Sequence, residues 1–153
     1  MKAFYRIQLR KIVKLLARLM ILKFHPVVVG VTGTVGKTST KEAIYKVLVG
    51  SRTVRRNLAN LNNELGLPLT ILGNYSKSGG FFFWIGVITG AALRLAIPQF
   101  FYWLTGSGYP RVLVLEYAAD RPGDLEYLTT IARPNISVVT TVGDIPTHVE
   151  FYE

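Results

Sequence analysis

The chain has 153 residues, enough for one well-buried core and cramped for two complete domains. It contains no cysteine, which excludes a disulfide framework, a thiolate metal site and a cysteine nucleophile, and the cytoplasm is the expected setting. The net charge of +9 sits at one end: residues 1–24 hold seven cations and no acid, and the remainder nets only +2. Nucleic-acid binding is therefore not expected, because it needs Lys and Arg spread over a folded face, often with aromatic stacking groups.

From Lys2 to Arg18 the cations recur at every fourth position, with Ile7, Ile12, Val13, Leu15, Leu16, Leu19 and Leu22 between them, so residues 1–24 read as a basic amphipathic helix. A charge at every fourth residue leaves no continuous apolar run of the kind a signal peptide needs. Two roles are open to such a helix: lying on an anionic membrane surface, or packing its apolar side on its own domain with the cations solvated. His25-Pro26 ends it, and the β-branched run 27–31 predicts a buried parallel strand.

A glycine loop follows, Thr32, Gly33, Thr34, Val35, Gly36, Lys37, Thr38 and Ser39, and then a helix over 38–49 with Ala43, Ile44, Val47 and Leu48 at apolar spacing and Gly50 as the stop. Strand, loop and helix in this order surround phosphate oxygens with backbone N–H groups and a helix N-terminus; Lys37 adds a point charge and Thr38 a hydroxyl suited to Mg²⁺. The spacing departs from the general form of the motif, whose first glycine would stand at Val31.

Residues 52–56 predict a second strand, 57–63 a polar turn, and 64–72 an apolar stretch broken by Pro68. The segment 76–110 changes composition: 81–104 carries Arg94 as its only charge, which would suit a membrane span by length. Arg94 lies centrally, and Gly86, Gly90 and Pro98 weaken a helix, so an apolar insertion that packs on itself or lies at an interface is expected over a spanning one. The chain then returns to strand 112–115 closing on Glu116, helix 123–132 and strand 136–140. The fold class is α/β, a three-layer αβα P-loop domain with a mostly parallel sheet and ligands at the carboxyl edge of its strands.

Glu116 leaves a buried strand where P-loop proteins place an acid for Mg²⁺; the alternative is a carboxylate paired with Arg111 or Arg121. His148 is, on its own pattern, an ordinary loop histidine, and Asp120, Asp124 and Glu126 suit a helix N-terminus.

Four segments in order, 32–40 (TGTVGKTST), 57–70 (NLANLNNELGLPLT), 115–128 (LEYAADRPGDLEYL) and 148–152 (HVEFY), resemble the successive motifs of the Mur ligase central domain, nearest to members that add D-Ala-D-Ala to a UDP-MurNAc-peptide in peptidoglycan precursor synthesis. The resemblance implies an ATP-dependent ligase forming an amide through an acyl phosphate. It implies ATP phosphates on Lys37 and the loop, Mg²⁺ on Thr38 and Glu116, a second metal site with His148, and Asn60, Asn62 and Asn63 along the edge facing the UDP-sugar peptide or γ-phosphate. Residues 25–153 would then be the central domain, incomplete, with the helix 1–24 where the family has a substrate-binding domain. The family's amine-binding domain would lie beyond Glu153, so this stretch alone is expected not to complete the reaction. Folylpolyglutamate synthase and cyanophycin synthetase share the loop, but the asparagine run and Asp120-Arg-Pro-Gly-Asp124 argue against them. The remaining alternative is a catalytically incomplete, membrane-associated nucleotide-binding module. In either case the place expected is the cytoplasm, peripheral to the inner face of the plasma membrane.

Overall fold

The computed structural model describes residues 2–98, 108–118 and 120–143. In chain order the elements are α1 (Lys2–Phe24), β1 (Val27–Thr32), α2 (Lys37–Leu48), β2 (Val54–Arg56), α3 (Gly66–Leu72), α4 (Phe81–Ala96), β3 (Val112–Glu116), α5 (Asp124–Ile131) and β4 (Ile136–Val139). The four strands form one wholly parallel sheet in the order β2-β3-β1-β4. The two central strands, β1 and β3, are the ones buried almost continuously, and their near-continuous apolar runs are what strands covered on both faces need.

Alternation along these strands divides the core in two. Val28, Leu113, Leu115 and Tyr117 face a layer made of α1, α3, α4 and α5, whose Val13, Ala17, Met20, Leu67, Leu69, Ala91 and Leu128 are buried there. Val29, Val31, Val112 and Val114 face the other way, onto Ile44 and Leu48 of α2. Gly30 is required at the centre of β1: a Cβ there would stand 2.7 Å from Pro134 Cγ and 3.1 Å from the Tyr117 ring. Tyr117 fills that space and donates its hydroxyl to the carbonyl of Ala132 at 2.6 Å, which fastens α5 to the sheet. Burial raises its pKa, so the hydroxyl holds its proton.

α1 has no glycine or proline to interrupt it, and it ends where His25 takes a left-handed conformation (φ 48°) ahead of Pro26. Leu9, Val13, Ala17 and Met20 recur at three and four and enter the core, so one side of this basic helix packs on its own domain. Burying side chains the size of Leu9, Val13 and Met20 stabilises by roughly 1.5–3 kcal/mol each. Within the apolar run α4 stops at Ala96, and Ile97 is extended because it precedes Pro98; residues 99–104 lie outside the described residues. Among the described residues no helix is long and apolar enough to cross a membrane.

α3 is buried along its whole length, Pro68 occupying its first turn, where a missing N–H is harmless. Its last carbonyls are satisfied from three directions. Arg55 donates to those of Thr70 and Ile71, Tyr109 to that of Ile71, and Arg94 to that of Leu72. Burial pulls the Arg55 pKa below that of an ordinary guanidinium and pushes that of Tyr109 upward, so the Tyr109 hydroxyl keeps the proton it donates. These contacts pin the end of α3, so the asparagine-rich turn before it is held from behind.

Candidate functional site

At the carboxyl edge of β1 the chain must turn sharply and start α2. Two glycines allow this, Gly33 at φ 134° and Gly36 at φ 86°, and both lie in the left-handed half of backbone space. Gly33 is also a steric requirement, since a Cβ there would stand 2.2 Å from Thr140 Oγ1 and 2.8 Å from Thr141 O. No side chain caps α2 at Gly36, so the first amides of that helix remain as donors around a hollow of about 310 Å³ lined by Thr34, Val35, Gly36, Lys37, Thr38 and Ser39. The Lys37 ammonium folds back over the loop, donating to the carbonyls of Gly33 (2.7 Å) and Thr34 (3.2 Å). Cation, helix N-terminus and loop amides converge on one concavity, an arrangement that attracts a multiply charged anion.

The residues after β4 brace the loop. Thr34 N donates to Thr141 O at 2.7 Å, Val35 N to Thr141 Oγ1 at 3.1 Å, and Thr140 Oγ1 to Val35 O at 2.6 Å. Because β4 pairs with β1, its end arrives beside the loop. The sequence reading assigned Thr140 and Thr141 no role; their only signal is their place just past a strand.

Glu116 stands at the end of the neighbouring strand and is 4% exposed. Its Oε2 accepts from Thr38 Oγ1 at 3.0 Å and pairs with Lys41 Nζ at 3.1 Å, and its Oε1 accepts from Asn62 Nδ2 at 3.0 Å. Asn57 fixes the backbone at the same point: its Oδ1 accepts from Glu116 N at 2.7 Å, and its Nδ2 donates to Leu61 O at 2.5 Å. The carboxylate thus meets the loop threonine, a buried ammonium and the asparagine turn together. The cation it pairs with is Lys41, neither Arg111 nor Arg121, the two candidates weighed from the sequence. Lys41 follows Lys37 by four residues and Thr38 by three, so helical spacing was the available signal.

The other asparagines divide by role. Asn63 Oδ1 accepts from the amides of Leu65 and Gly66, which shapes the entry to α3, and Asn60 is exposed at the turn. His148 lies outside the described residues, as do Asp144 and Glu150. Among the described residues no three of His, Cys, Asp and Glu gather as a metal centre. What is present, one hydroxyl and one carboxylate beside an anion-attracting loop, is nevertheless a donor set that suits Mg²⁺, a hard cation usually held by one or two protein oxygens plus phosphate oxygens.

Parallel sheet, glycine loop opening α2, and an acid on the adjacent strand beside the loop threonine together define a P-loop α/β domain. Residues 31–83 match the family model of the Mur ligase middle domain. The chain is 30% identical over 117 residues to the UDP-N-acetylmuramoyl-tripeptide--D-alanyl-D-alanine ligase of Bacillus subtilis, covering 76% of this chain and 19% of that one. It is 35% identical over 132 residues to the ligase of the same description from Borreliella burgdorferi, covering 86% and 22%. Among solved structures it is similar to MurF ligase from Thermotoga maritima in complex with ADP, at 35% identity and a TM-score of 0.63 over 88% of this chain and 24% of that one. The fold also matches MurF from Acinetobacter baumannii, with a TM-score of 0.57 at 21% identity. The chain is thus similar, over residues 31–83, to the Mur ligase middle domain, and the relatives and structures it resembles are MurF ligases. It spans about a fifth of the length of the curated relatives it matches.

Proposed function

We propose that this chain is the ATP-binding part of a MurF-like ligase that joins an amine such as D-Ala-D-Ala to the carboxylate of a UDP-MurNAc-peptide. The observation that carries the reading is the junction of loop and strand end, where Thr38 Oγ1 lies 3.0 Å from Glu116 Oε2 and Asn62 reaches the other carboxylate oxygen. The relatives' names supply the substrates, and the Thermotoga relative binds ADP.

In this reading the amides of 36–38, at the start of α2, and Lys37 would hold the β- and γ-phosphates, and Thr38 and Glu116 would hold Mg²⁺. The cation supplies charge neutralisation at the γ-phosphoryl group. The substrate carboxylate attacks the γ-phosphorus as the bond to ADP breaks, giving an acyl phosphate; the amine then attacks the acyl carbon, phosphate leaves, and the amine's proton passes to solvent or a base. Negative charge gathers in the first step, which is why fixed cations and N–H donors must already be in place. Lys41 and Asn62 keep the Glu116 carboxylate aimed at Thr38, and Gly33, with Thr140 and Thr141 against it, keeps the loop open. His148 would belong to a second metal site, and Asn60, Asn62 and Asn63 to the edge facing the UDP-sugar peptide or the γ-phosphate. The setting is the cytoplasm, peripheral to the inner face of the plasma membrane, with an anionic membrane surface as a partner.

Thermal unfolding tests the nucleotide part of this reading. Saturating Mg·ATP is expected to raise the melting temperature of the chain, since a ligand at 100 times its Kd adds about 2.7 kcal/mol. ATP with chelator should give a smaller shift, and Lys37→Ala should abolish it. An unchanged melting temperature in the parent contradicts the proposal.

A further inference from the structure

α1 has two apolar sides. Leu9, Val13, Ala17 and Met20 are buried, but Tyr5, Ile12, Leu15, Leu19 and Leu22 form a second row, spaced by three, four and seven, that remains exposed: Leu15 at 57% and Leu22 at 64%. α4 has the same division. Trp84, Val87 and Ala91 enter the core, while Phe82 at 85%, Ile85 and Leu93 at 64% stay outside.

The two exposed rows belong to one surface. Tyr5, in the exposed row of α1, has its ring centroid 6.3 Å from that of Phe81 in the first turn of α4. At the other end Lys23 Nζ donates to the carbonyls of Arg94 (2.8 Å), Leu95 (2.9 Å) and Ile97 (2.5 Å), the last turn of α4 and the residue after it. Start therefore lies by start and end by end, so the helices run side by side in one direction. Ile85 is one turn on from Phe81, and Leu93 two turns further, so the α4 row continues from the contact with α1. Scattered exposed apolar residues are ordinary; two adjoining rows on neighbouring helices are not.

The charge around this surface is of one sign. No Asp or Glu occurs in residues 1–41 or 65–115, which include all of both helices. Glu64 is the acid at α1, and it pairs with Arg10. Lys14 is occupied by Thr130 and the Tyr127 ring of α5. Arg6, Lys11 and Arg18 stand exposed, Lys11 and Arg18 each one residue before a member of the exposed row, and neither has an ion-pair partner among the described residues. An apolar strip edged by cations, its one adjoining acid already paired with Arg10, is complementary to an anionic lipid surface. A second copy of the chain would bring the same cations face to face.

We infer that α1 and α4 together form one lipid-docking face, on which the domain rests against anionic lipid with Tyr5, Ile12, Leu15, Leu19, Phe82, Ile85 and Leu93 entering the headgroup boundary. This deepens the peripheral placement proposed above and is independent of the nucleotide reading. It also orients the molecule. α2 packs on the opposite face of the sheet, so the docked domain keeps α2 away from the bilayer and its glycine loop at the sheet edge open.

The test is co-sedimentation of the whole chain with vesicles of phosphatidylcholine alone or mixed with phosphatidylserine, with Mg·ATP binding measured on the same samples. Three paired variants change exposed positions only: Leu15→Gln with Leu19→Gln, Phe82→Gln with Leu93→Gln, and Lys11→Gln with Arg18→Gln. The chain is expected to sediment with the mixed vesicles and not with phosphatidylcholine alone, less so as salt rises, and each pair should weaken partitioning by about tenfold or more while melting temperature and ATP binding stay unchanged. Equal binding to both vesicle types, or none, overturns the inference, as does wild-type partitioning by the α4 pair. A concentration-dependent dimer that buries this face, without vesicle binding, overturns it in favour of a second copy. Loss of ATP binding in the parent with vesicle binding intact would refute the nucleotide reading and leave this one standing.

Discussion

Replacing Lys41 by methionine keeps the apolar stem and takes away only the ammonium. In the native chain that ammonium is sealed: Lys41 is 1% exposed, and its Nζ lies 3.1 Å from Glu116 Oε2 and 3.8 Å from Glu42 Oε1. After the substitution Glu116 would retain two neutral donors, Thr38 and Asn62, and lose its one cation. Removing one partner of a buried ion pair costs about 3–5 kcal/mol, because the remaining charge is left uncompensated. The two retained hydrogen bonds and the methionine's packing place the expected loss near the lower end, about 3 kcal/mol, a large share of the roughly 5–15 kcal/mol that holds a domain folded. Urea unfolding of Lys41→Met, Glu116→Gln and the double variant measures it. The double variant should be more stable than the sum of the single losses predicts by at least about 1 kcal/mol, the coupling of groups in contact. A loss under about 1 kcal/mol for Lys41→Met, or strictly additive losses, would refute the claim that Lys41 neutralises Glu116.

Further outcomes follow from single contacts. Gly33→Ala forces a side chain into left-handed backbone and against Thr140 Oγ1, and should cost about 1–3 kcal/mol in urea unfolding and remove Mg·ATP binding measured by titration. Tyr117→Phe leaves the Ala132 carbonyl without its 2.6 Å donor and should destabilise by about 1–3 kcal/mol without altering the far-ultraviolet spectrum. The Arg56 guanidinium, hydrogen-bonded to Glu42 at 2.7 Å, holds that carboxyl below its ordinary value of 4.5. The sign follows: a lowered folded-state pKa contributes stability above 4.5 that fades as pH falls through the lowered value, so Arg56→Gln should flatten the urea midpoint against pH on the acid side of 4.5 and alter its slope little above.

Local order made much of this protein legible in its sequence. The run 27–31, the loop and the helix after it are each signalled by neighbouring residues, so strand, turn and helix were readable together. The parallel sheet followed from alternation of strand and helix, but the order β2-β3-β1-β4 did not, because register between strands is decided by distant packing. Glu116 was legible as an acid at a strand end; its partners were not. Asn57 and Lys41 reach it across 59 and 75 residues, and nothing in a one-dimensional spacing says that those segments meet. The basic helix shows the same limit: sequence offered a membrane role or a packed role as alternatives, whereas the folded chain gives α1 one buried row and one exposed row, each apolar. The helix 81–96 was harder for another reason, since uniform apolarity hides which side is buried, and only contact with α1 and α3 makes the distinction.

The central claim is that the glycine loop and Glu116 form one site for Mg·ATP. Isothermal titration of ATP into the chain, with and without Mg²⁺, and into Lys37→Ala and Glu116→Gln, tests it most directly. The expected result is saturable one-to-one binding by the parent that is lost in Lys37→Ala, and in Glu116→Gln a retained binding of ATP that Mg²⁺ no longer strengthens. Absence of saturable binding by the parent, or Mg²⁺ strengthening binding equally in parent and Glu116→Gln, would contradict it.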